Sequence, residues 1–184
     1  MDYERLLLLE ARTRKEYYSC FDHFSPSEEF IFDIRSRMPP RNEMNAMISF
    51  GNTVLYNQFA FLINKSPLDI RIGYLHSTNG FRKESLHLDV SEIFKPLIVD
   101  RVVFSMINLK MIHPYHFKTE ENGAVYLTED GKRAFLRALY SKFDEALMVN
   151  GRPMTYRMLM EEEVRLLVRH FRNSEKYRAF RQLH

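Results

Sequence analysis

The chain has 184 residues, of which 45% are hydrophobic and 28% charged, so it can bury a sizeable core and is not globally disordered. Its six glycines and single cysteine, Cys20, exclude a Gly-rich phosphate loop, a disulfide framework and a cysteine-based zinc site. The net charge of +3 permits nucleic-acid binding without requiring it. Apolar runs such as residues 6–9 are far too short to cross a bilayer, and no signal peptide is recognisable. We therefore expect a soluble, cytoplasmic protein.

The N-terminal part is predicted to be helical. Residues 2–24 lack Gly and Pro, and their apolar side chains recur at steps of three and four, which is typical of a helix. A break at residues 25–27 and an extended basic loop at residues 35–41 follow, because prolines interrupt the pattern. Asn42 then suits the N-cap of a long helix over residues 43–64.

The central part contains two further helix starts. Ser66 and Pro67 are typical of an N-cap followed by proline at the first helical position. Ser85 is predicted to cap a second helix, which Pro96 kinks or restarts and which continues to about residue 112.

The C-terminal part is predicted to begin with a small β-hairpin over residues 117–127, with Asn122 and Gly123 in a type I′ turn. Helices follow, one capped by Thr128 and closed at residues 150–153, one over residues 154–171 and one over residues 175–182. The fold class is therefore all-α, with about seven helices and one minor β-hairpin in a single domain over residues 1–184.

Basic residues are concentrated at the C-terminus. Residues 151–184 contain 8 Lys and Arg against 4 Asp and Glu, a local charge of +4. This stretch is either a solvated helix face, which is the commoner case, or a surface that faces phosphate groups.

Three side chains have the chemistry of a metal site. Asp89 and Glu92 are three residues apart and share a helix face, and His76 precedes Asp89 by 13 residues. Carboxylate and imidazole donors together suit Mn²⁺ or Mg²⁺. Taken alone, the same pattern also describes ordinary surface residues.

Four blocks, taken together in order, resemble one protein family. They are Leu8-Leu9-Glu10-Ala11-Arg12 with Tyr17-Tyr18, Arg37-Met38-Pro39-Pro40 with residues 45–51, Gly73-Tyr74-Leu75-His76, and residues 85–101 around Asp89, Glu92 and Pro96. The chain resembles the CRISPR-associated integrase of spacer acquisition, the Cas-one endonuclease. The resemblance covers residues 10–101, and the remainder fits the helical tail of that family.

The resemblance implies roles for four residues by motif position. Glu10, His76 and Glu92 would be catalytic residues that bind the metal, and Asp89 a nearby catalytic acid. The implied reaction is attack of a DNA 3′-hydroxyl on a phosphodiester with Mn²⁺ or Mg²⁺, which inserts spacers into a CRISPR array. Each residue has an ordinary alternative: Glu10 is also placed to pair with Arg14 at i+4, for example.

Several residues are candidates for contact with DNA. The basic candidates are Arg12, Arg37, Arg41, Arg82 and Lys83. Arg35 also flanks the double proline. Tyr74 and Phe81 would either stack on a splayed base or pack in the core, and core packing is the stronger expectation. Asn45 and Gly51 match the family pattern but are expected to be structural.

The resemblance begins close to the first residue, whereas family members carry a β-rich N-terminal domain first. We therefore expect the catalytic C-terminal domain alone. The resemblance implies DNA (the CRISPR repeat and the protospacer), a second copy of the chain and the small Cas-two protein as partners, and no membrane. The two protein partners would depend on the N-terminal domain. The alternative function is a non-catalytic helical fragment that binds DNA or another protein.

Overall fold

The computed structural model describes residues 3–24, 27–75 and 84–181. It confirms an all-α fold with minor β-structure. The helices and strands are α1 (Tyr3–Ser19), α2 (Phe21–Phe24), α3 (Glu43–Asn64), α4 (Leu86–Ser91), a π-helical turn (Lys95–Asp100), α5 (Arg101–Asn108), a 3₁₀ turn (Pro114–His116), β1 (Phe117–Thr119), β2 (Val125–Leu127), α6 (Glu129–Asp144), β3 (Ala146–Val149), β4 (Arg152–Thr155) and α7 (Tyr156–Asn173). None of the helices in these ranges is long and apolar enough to cross a membrane.

The chain divides into two compact units, one of residues 1–51 and 100–138 and one of residues 52–99 and 139–184. The assignment of residues 1–184 to a single domain stays a prediction.

An aromatic cluster forms part of the core of the first unit. The helix predicted over residues 2–24 is interrupted at Cys20, and α2 begins at Phe21, which is fully buried. The Phe21 ring lies 4.9 Å from that of Phe32 and 4.8 Å from that of Phe104. Packing of these rings stabilises the unit by about 0.5–1.5 kcal/mol per pair beyond the burial of their area.

The core of the second unit is built on α7. Its side chains at Leu159, Met160, Val164 and Leu167 are buried, which is the spacing of one apolar helix face. The N-cap Thr155 accepts a hydrogen bond from the Met158 N–H at 3.2 Å.

The prediction for α3 is confirmed at both ends. Asn42 Oδ1 accepts a hydrogen bond from the Asn45 N–H at 2.8 Å, so Asn42 is the N-cap. The helix start predicted at Ser66 and Pro67 is wrong. Ser66 Oγ donates to the Ile63 carbonyl at 2.7 Å and so closes the end of α3.

Helix α4 starts after Ser85 as predicted, but Ser85 does not cap it through its side chain. Beyond α4, a π-helical turn contains Pro96 and leads into α5, which ends at Asn108, earlier than predicted. A proline removes one backbone donor, which is consistent with the irregular helical geometry at this point.

The first hairpin is confirmed, although its turn differs from the prediction. Gly123 has a positive φ of 75°, whereas Asn122 does not, so the turn is not type I′. The Gly123 N–H donates to the Glu120 carbonyl at 2.8 Å. The five-residue loop is therefore a type I turn followed by a left-handed glycine.

A second hairpin, β3–β4, replaces the predicted end of the following helix. Asn150 and Gly151 both have positive φ, 50° and 75°, as a type I′ turn requires. Thr128 caps α6 as predicted, because its Oγ1 accepts a hydrogen bond from the Gly131 N–H at 3.2 Å, but α6 already ends at Asp144.

The helix predicted over residues 175–182 is wrong within the described part of the chain, since residues 174–181 form no regular structure. Helix α7 ends where Ser174 adopts a left-handed conformation, with φ of 56°.

Candidate active site

Glu10 lies on α1 and is paired with a cation of the same helix. Arg14 Nη2 donates to Glu10 Oε1 at 2.5 Å, and the Glu10 side chain remains 27% exposed. The i+4 ion pair expected as the structural alternative is therefore present. A carboxylate that keeps a quarter of its surface exposed is still accessible to a cation from solution.

Glu92 follows α4 and is also paired with a cation of its own segment. Lys95 Nζ donates to Glu92 Oε1 and lies 4.8 Å from the centre of the Tyr56 ring. Lys95 is only 7% exposed, whereas the Glu92 side chain is 27% exposed. The cost of burying the ammonium group is offset by the carboxylate and by the aromatic face.

Asp89 contacts backbone. Its Oδ2 accepts hydrogen bonds from the Tyr74 N–H and from the Leu75 N–H, the latter at 3.1 Å. Partial burial and the Asp89 charge raise the pKa of the Tyr74 phenol above its ordinary value of 10. Asp89 therefore connects α4 to the segment that precedes position 76.

Three predicted site residues, His76, Arg82 and Lys83, lie outside the described residues, as does Phe81. Within residues 3–24, 27–75 and 84–181, no three His, Cys, Asp or Glu side chains form a group suited to a metal ion. The assignment of Glu10, His76 and Glu92 as metal ligands stays a prediction.

The described DNA candidates differ in their surroundings. Arg12 and Arg37 are exposed, and Arg12 lines a surface cavity together with Arg5, Leu8 and Leu9. Leu8 and Leu9 are 65% and 54% exposed. Arg41 is exposed, but its Nη1 donates to the Asn122 carbonyl at 2.6 Å.

Arg35 and Asn45 have structural contacts. Arg35 Nη1 donates to Asn45 Oδ1 at 2.7 Å, and Asn45 Nδ2 donates to the Ile34 carbonyl at 2.8 Å. Asn45 is fully buried, as its expected structural role requires. The burial of Arg35 lowers the pKa of its guanidinium group, and Tyr18 opposes this effect. Arg35 is therefore part of the fold of the double-proline loop.

The expectation that Tyr74 packs in the core is wrong. Tyr74 is 54% exposed, and its ring is nearly parallel to that of Phe171, which is 57% exposed, at 6.3 Å between centres. Sequence reasoning also missed Lys95. Its spacing of i+3 from Glu92 is the signal that could have identified it.

The C-terminal segment is held in place by a buried carboxylate. Glu163 on α7 is 1% exposed, and it accepts hydrogen bonds from the Tyr177 hydroxyl and, at 3.0 Å, from the Phe180 N–H. The Phe180 ring stacks at 6.1 Å on that of Phe94. Four exposed cations, one at the end of α7 and three in the segment after it, form no ion pair with any described residue: Arg172, Lys176, Arg178 and Arg181.

Comparisons with known proteins identify the family. The model of the family described as CRISPR associated protein Cas1 matches residues 1–141. A CRISPR-associated endonuclease Cas1 of Thermodesulfovibrio yellowstonii is 38% identical over 179 residues, which cover 96% of this chain and 54% of that protein. A CRISPR-associated endonuclease Cas1 of Thermotoga maritima is 38% identical over 167 residues, which cover 90% of this chain and 52% of that protein. The chain thus spans about half the length of the curated relatives it matches.

Comparison with solved structures points to the same family. A Cas1 protein from Thermotoga maritima has a TM-score of 0.87 at 35% identity, covering 98% of this chain and 56% of that one. A casposase bound to integration product has a TM-score of 0.88 at 21% identity, covering 99% and 55%, and shares the fold. The family match, together with the order of the motif residues and the all-α fold, shows that the chain belongs to the Cas1 family.

Proposed function

We propose that this chain carries the catalytic residues of a metal-dependent DNA endonuclease and integrase of CRISPR adaptation. The observation that carries the proposal is that Glu10 and Glu92, at the family's acidic motif positions, both keep 27% of their side chains exposed. The curated relatives are named endonucleases, and one protein that shares the fold is a casposase bound to integration product. These relatives support a reaction at a DNA phosphodiester.

The metal would be Mn²⁺ or Mg²⁺, held by Glu10, His76 and Glu92. Carboxylate oxygens with one imidazole are a donor set that fits either ion, and both carboxylates are accessible to solvent. When bound, the ion would supply Lewis-acid chemistry, which activates the attacking hydroxyl and offsets charge on the phosphate.

The chain's own residues would keep the acidic ligands oriented. Arg14 fixes one oxygen of Glu10, and Lys95 fixes one oxygen of Glu92. Because Lys95 is buried against Tyr56, its ammonium group is held in one place and limits the rotamers open to Glu92. Orientation of a ligand before the ion arrives reduces the entropy lost on binding.

DNA would be the substrate. Arg12 and Arg37, which are exposed, are the described residues best placed to contact phosphates, and Arg41, Arg82 and Lys83 complete the predicted set. Two structures that share the fold, at 20% and 21% identity, are a Cas6-RT-Cas1–Cas2 complex and a partial form of it. We therefore propose a Cas2 protein and a second copy of the chain as further partners of the longer protein.

The test is strand transfer and nicking of DNA in Mn²⁺, with Glu10→Ala and Glu92→Ala compared with the unaltered chain. Each variant is expected to lose activity while its helical circular dichroism is unchanged. Glu16→Ala is the matched control, because Glu16 is an exposed acid on the same helix as Glu10 and matches no motif position. Full activity in Glu10→Ala would refute the proposal.

A second candidate function is DNA binding without catalysis. The observation in its favour is the group of four exposed cations near the C-terminus that have no ion-pair partner in the described part of the chain. It predicts salt-sensitive DNA binding that needs no metal and no nicking by the unaltered chain. Changing all four cations to Gln would lower the slope of log K against log salt by up to about 0.9 for each phosphate that is no longer neutralised. An unchanged slope would contradict this candidate.

A further inference from the structure

Residues 71–75 are fastened to the start of α4 by side chains of that helix region. Ser85 Oγ accepts a hydrogen bond from the Gly73 N–H at 3.0 Å and donates to the Arg71 carbonyl at 2.9 Å. One turn further along, Asp89 Oδ2 accepts the next two backbone N–H groups, those of Tyr74 and Leu75. Three consecutive backbone donors are thus satisfied by two side chains.

The contact leaves little room for a side chain at position 73. A Cβ atom at position 73 would lie 2.6 Å from Asp89 Oδ2 and 2.7 Å from Ser85 Oγ, which is shorter than real Cβ contacts. Any larger residue at this position would push both side chains away from the backbone. The path of residues 73–75 is therefore fixed by a specific contact with α4.

From these contacts we infer that Asp89 is a positioning residue: through the Tyr74 and Leu75 N–H groups it fixes the backbone that leads directly into His76. This inference rests on the proposed function, in which His76 and Glu92 bind the metal. One carboxylate oxygen that accepts two N–H donors is a strong anchor, since hydrogen bonds to a charged acceptor are about twice as strong as neutral ones. Asp89 thereby connects residues 74–75, which immediately precede position 76, to the helix that precedes Glu92.

This role differs from the catalytic role that the motif position suggests. A positioning residue acts through the acceptor oxygen that it offers to the backbone, and an amide oxygen can take its place. A carboxylate metal ligand supplies a negative charge together with its donor oxygen, and a catalytic acid supplies a titratable proton; an amide has neither the charge nor that proton. Asp89→Asn and Asp89→Ala separate the two roles, because both remove the same charge and only Asn keeps an acceptor of the right length.

The experiment measures the Mn²⁺ dissociation constant of the unaltered chain, Asp89→Asn and Asp89→Ala by titration calorimetry. Positioning predicts that Asp89→Ala binds Mn²⁺ at least tenfold more weakly than Asp89→Asn, since the loss of groups that orient metal ligands costs about 10–100-fold in affinity. It also predicts that amide hydrogen exchange at Tyr74 and Leu75 is faster in Asp89→Ala and that its rate is unchanged in Asp89→Asn. Equal affinities of the two variants, within threefold, would overturn the inference.

Two further results keep the outcomes distinct. If the unaltered chain bound no Mn²⁺, the proposed function and the inference would both fall. If it bound Mn²⁺ and the two Asp89 variants lost affinity equally, only the inference would fall. Should Asp89→Ala fail to fold, Ser85→Ala provides the second test, because it removes the neighbouring anchor of the same segment and is also expected to weaken Mn²⁺ binding. Unchanged affinity in Ser85→Ala would then refute the positioning of this segment.

Discussion

The buried carboxylate of Glu163 offers a stability prediction that can be worked from its contacts. In Glu163→Ala, the Tyr177 hydroxyl and the Phe180 N–H both lose their acceptor, and the segment 174–181 loses its attachment to α7. Leaving a buried donor without a partner costs about 1–3 kcal/mol, so two donors predict a loss of about 3 kcal/mol in the free energy of unfolding. For a chain of this length, that loss corresponds to a fall in Tm of roughly 6–12 °C.

The neighbouring residue provides the matched control. Glu162 lies on the same helix, but it is partly exposed and its partners are Arg165 and Arg169. Glu162→Ala is therefore expected to cost less than about 1 kcal/mol, as exposed ion pairs do. Thermal unfolding followed by circular dichroism compares the two variants. Equal losses of stability would refute the reasoning, because they would show that burial and the two hydrogen bonds of Glu163 add nothing.

The same residue predicts a dependence on pH. Burial raises the pKa of Glu163 above its ordinary value of 4.5, and the bonds from Tyr177 and Phe180 oppose this shift without cancelling it. A carboxyl group whose pKa is higher in the folded state contributes stability that is fully present below pH 4.5 and is lost as the pH rises through the folded value. Glu163→Gln lacks this loss, so its unfolding free energy relative to the unaltered chain should increase as the pH rises. Urea unfolding between pH 4 and pH 8 measures the difference, and a decrease would contradict the sign.

Three smaller predictions concern other contacts. Tyr17→Phe removes the hydroxyl that donates a hydrogen bond to Asp100 Oδ2 at 2.9 Å. It should lower the free energy of unfolding, measured in urea, by about 1–3 kcal/mol. Gly73→Ala should cost about 1–3 kcal/mol through overpacking and should speed amide exchange in its segment, measured by mass spectrometry. Thr128→Ala removes the N-cap of α6 and should cost about 1 kcal/mol in thermal unfolding. No measurable change in any of these variants would show that the corresponding contact does not stabilise the fold.

The sequence predicted the start of a helix correctly where the cap and the helix are adjacent in sequence. Asn42 and the apolar pattern after it were sufficient for α3, because the cap and the helix lie next to each other in sequence. Thr128 identified the start of α6 for the same reason. The prediction failed at Ser66, whose hydroxyl was equally able to cap a following helix or to close the preceding one.

The two Asn-Gly pairs show that turn chemistry also depends on loop length. Asn150 and Gly151 connect strands directly, and such a two-residue loop needs two left-handed residues. Asn122 and Gly123 lie in a five-residue loop, where a type I turn needs only the glycine to be left-handed. The dipeptide is the same in both places, and the length of the loop between the paired strands decides which turn forms.

The candidate site shows a similar boundary between what a pattern can and cannot indicate. The spacing of Asp89 and Glu92 predicted one shared helix, and the structure has Asp89 inside α4 and Glu92 at its C-cap. It did not indicate that one oxygen of Asp89 accepts two backbone N–H groups of residues 74–75, whereas Glu92 pairs with Lys95. Helical periodicity places side chains on a face, but the partner of each carboxylate depends on which backbone donor or ammonium group tertiary packing brings to it. Two acids three residues apart can therefore have different roles, one as an acceptor for backbone N–H groups and one as a charged group. An amide substitution distinguishes these roles, because it keeps the acceptor oxygen and removes the charge.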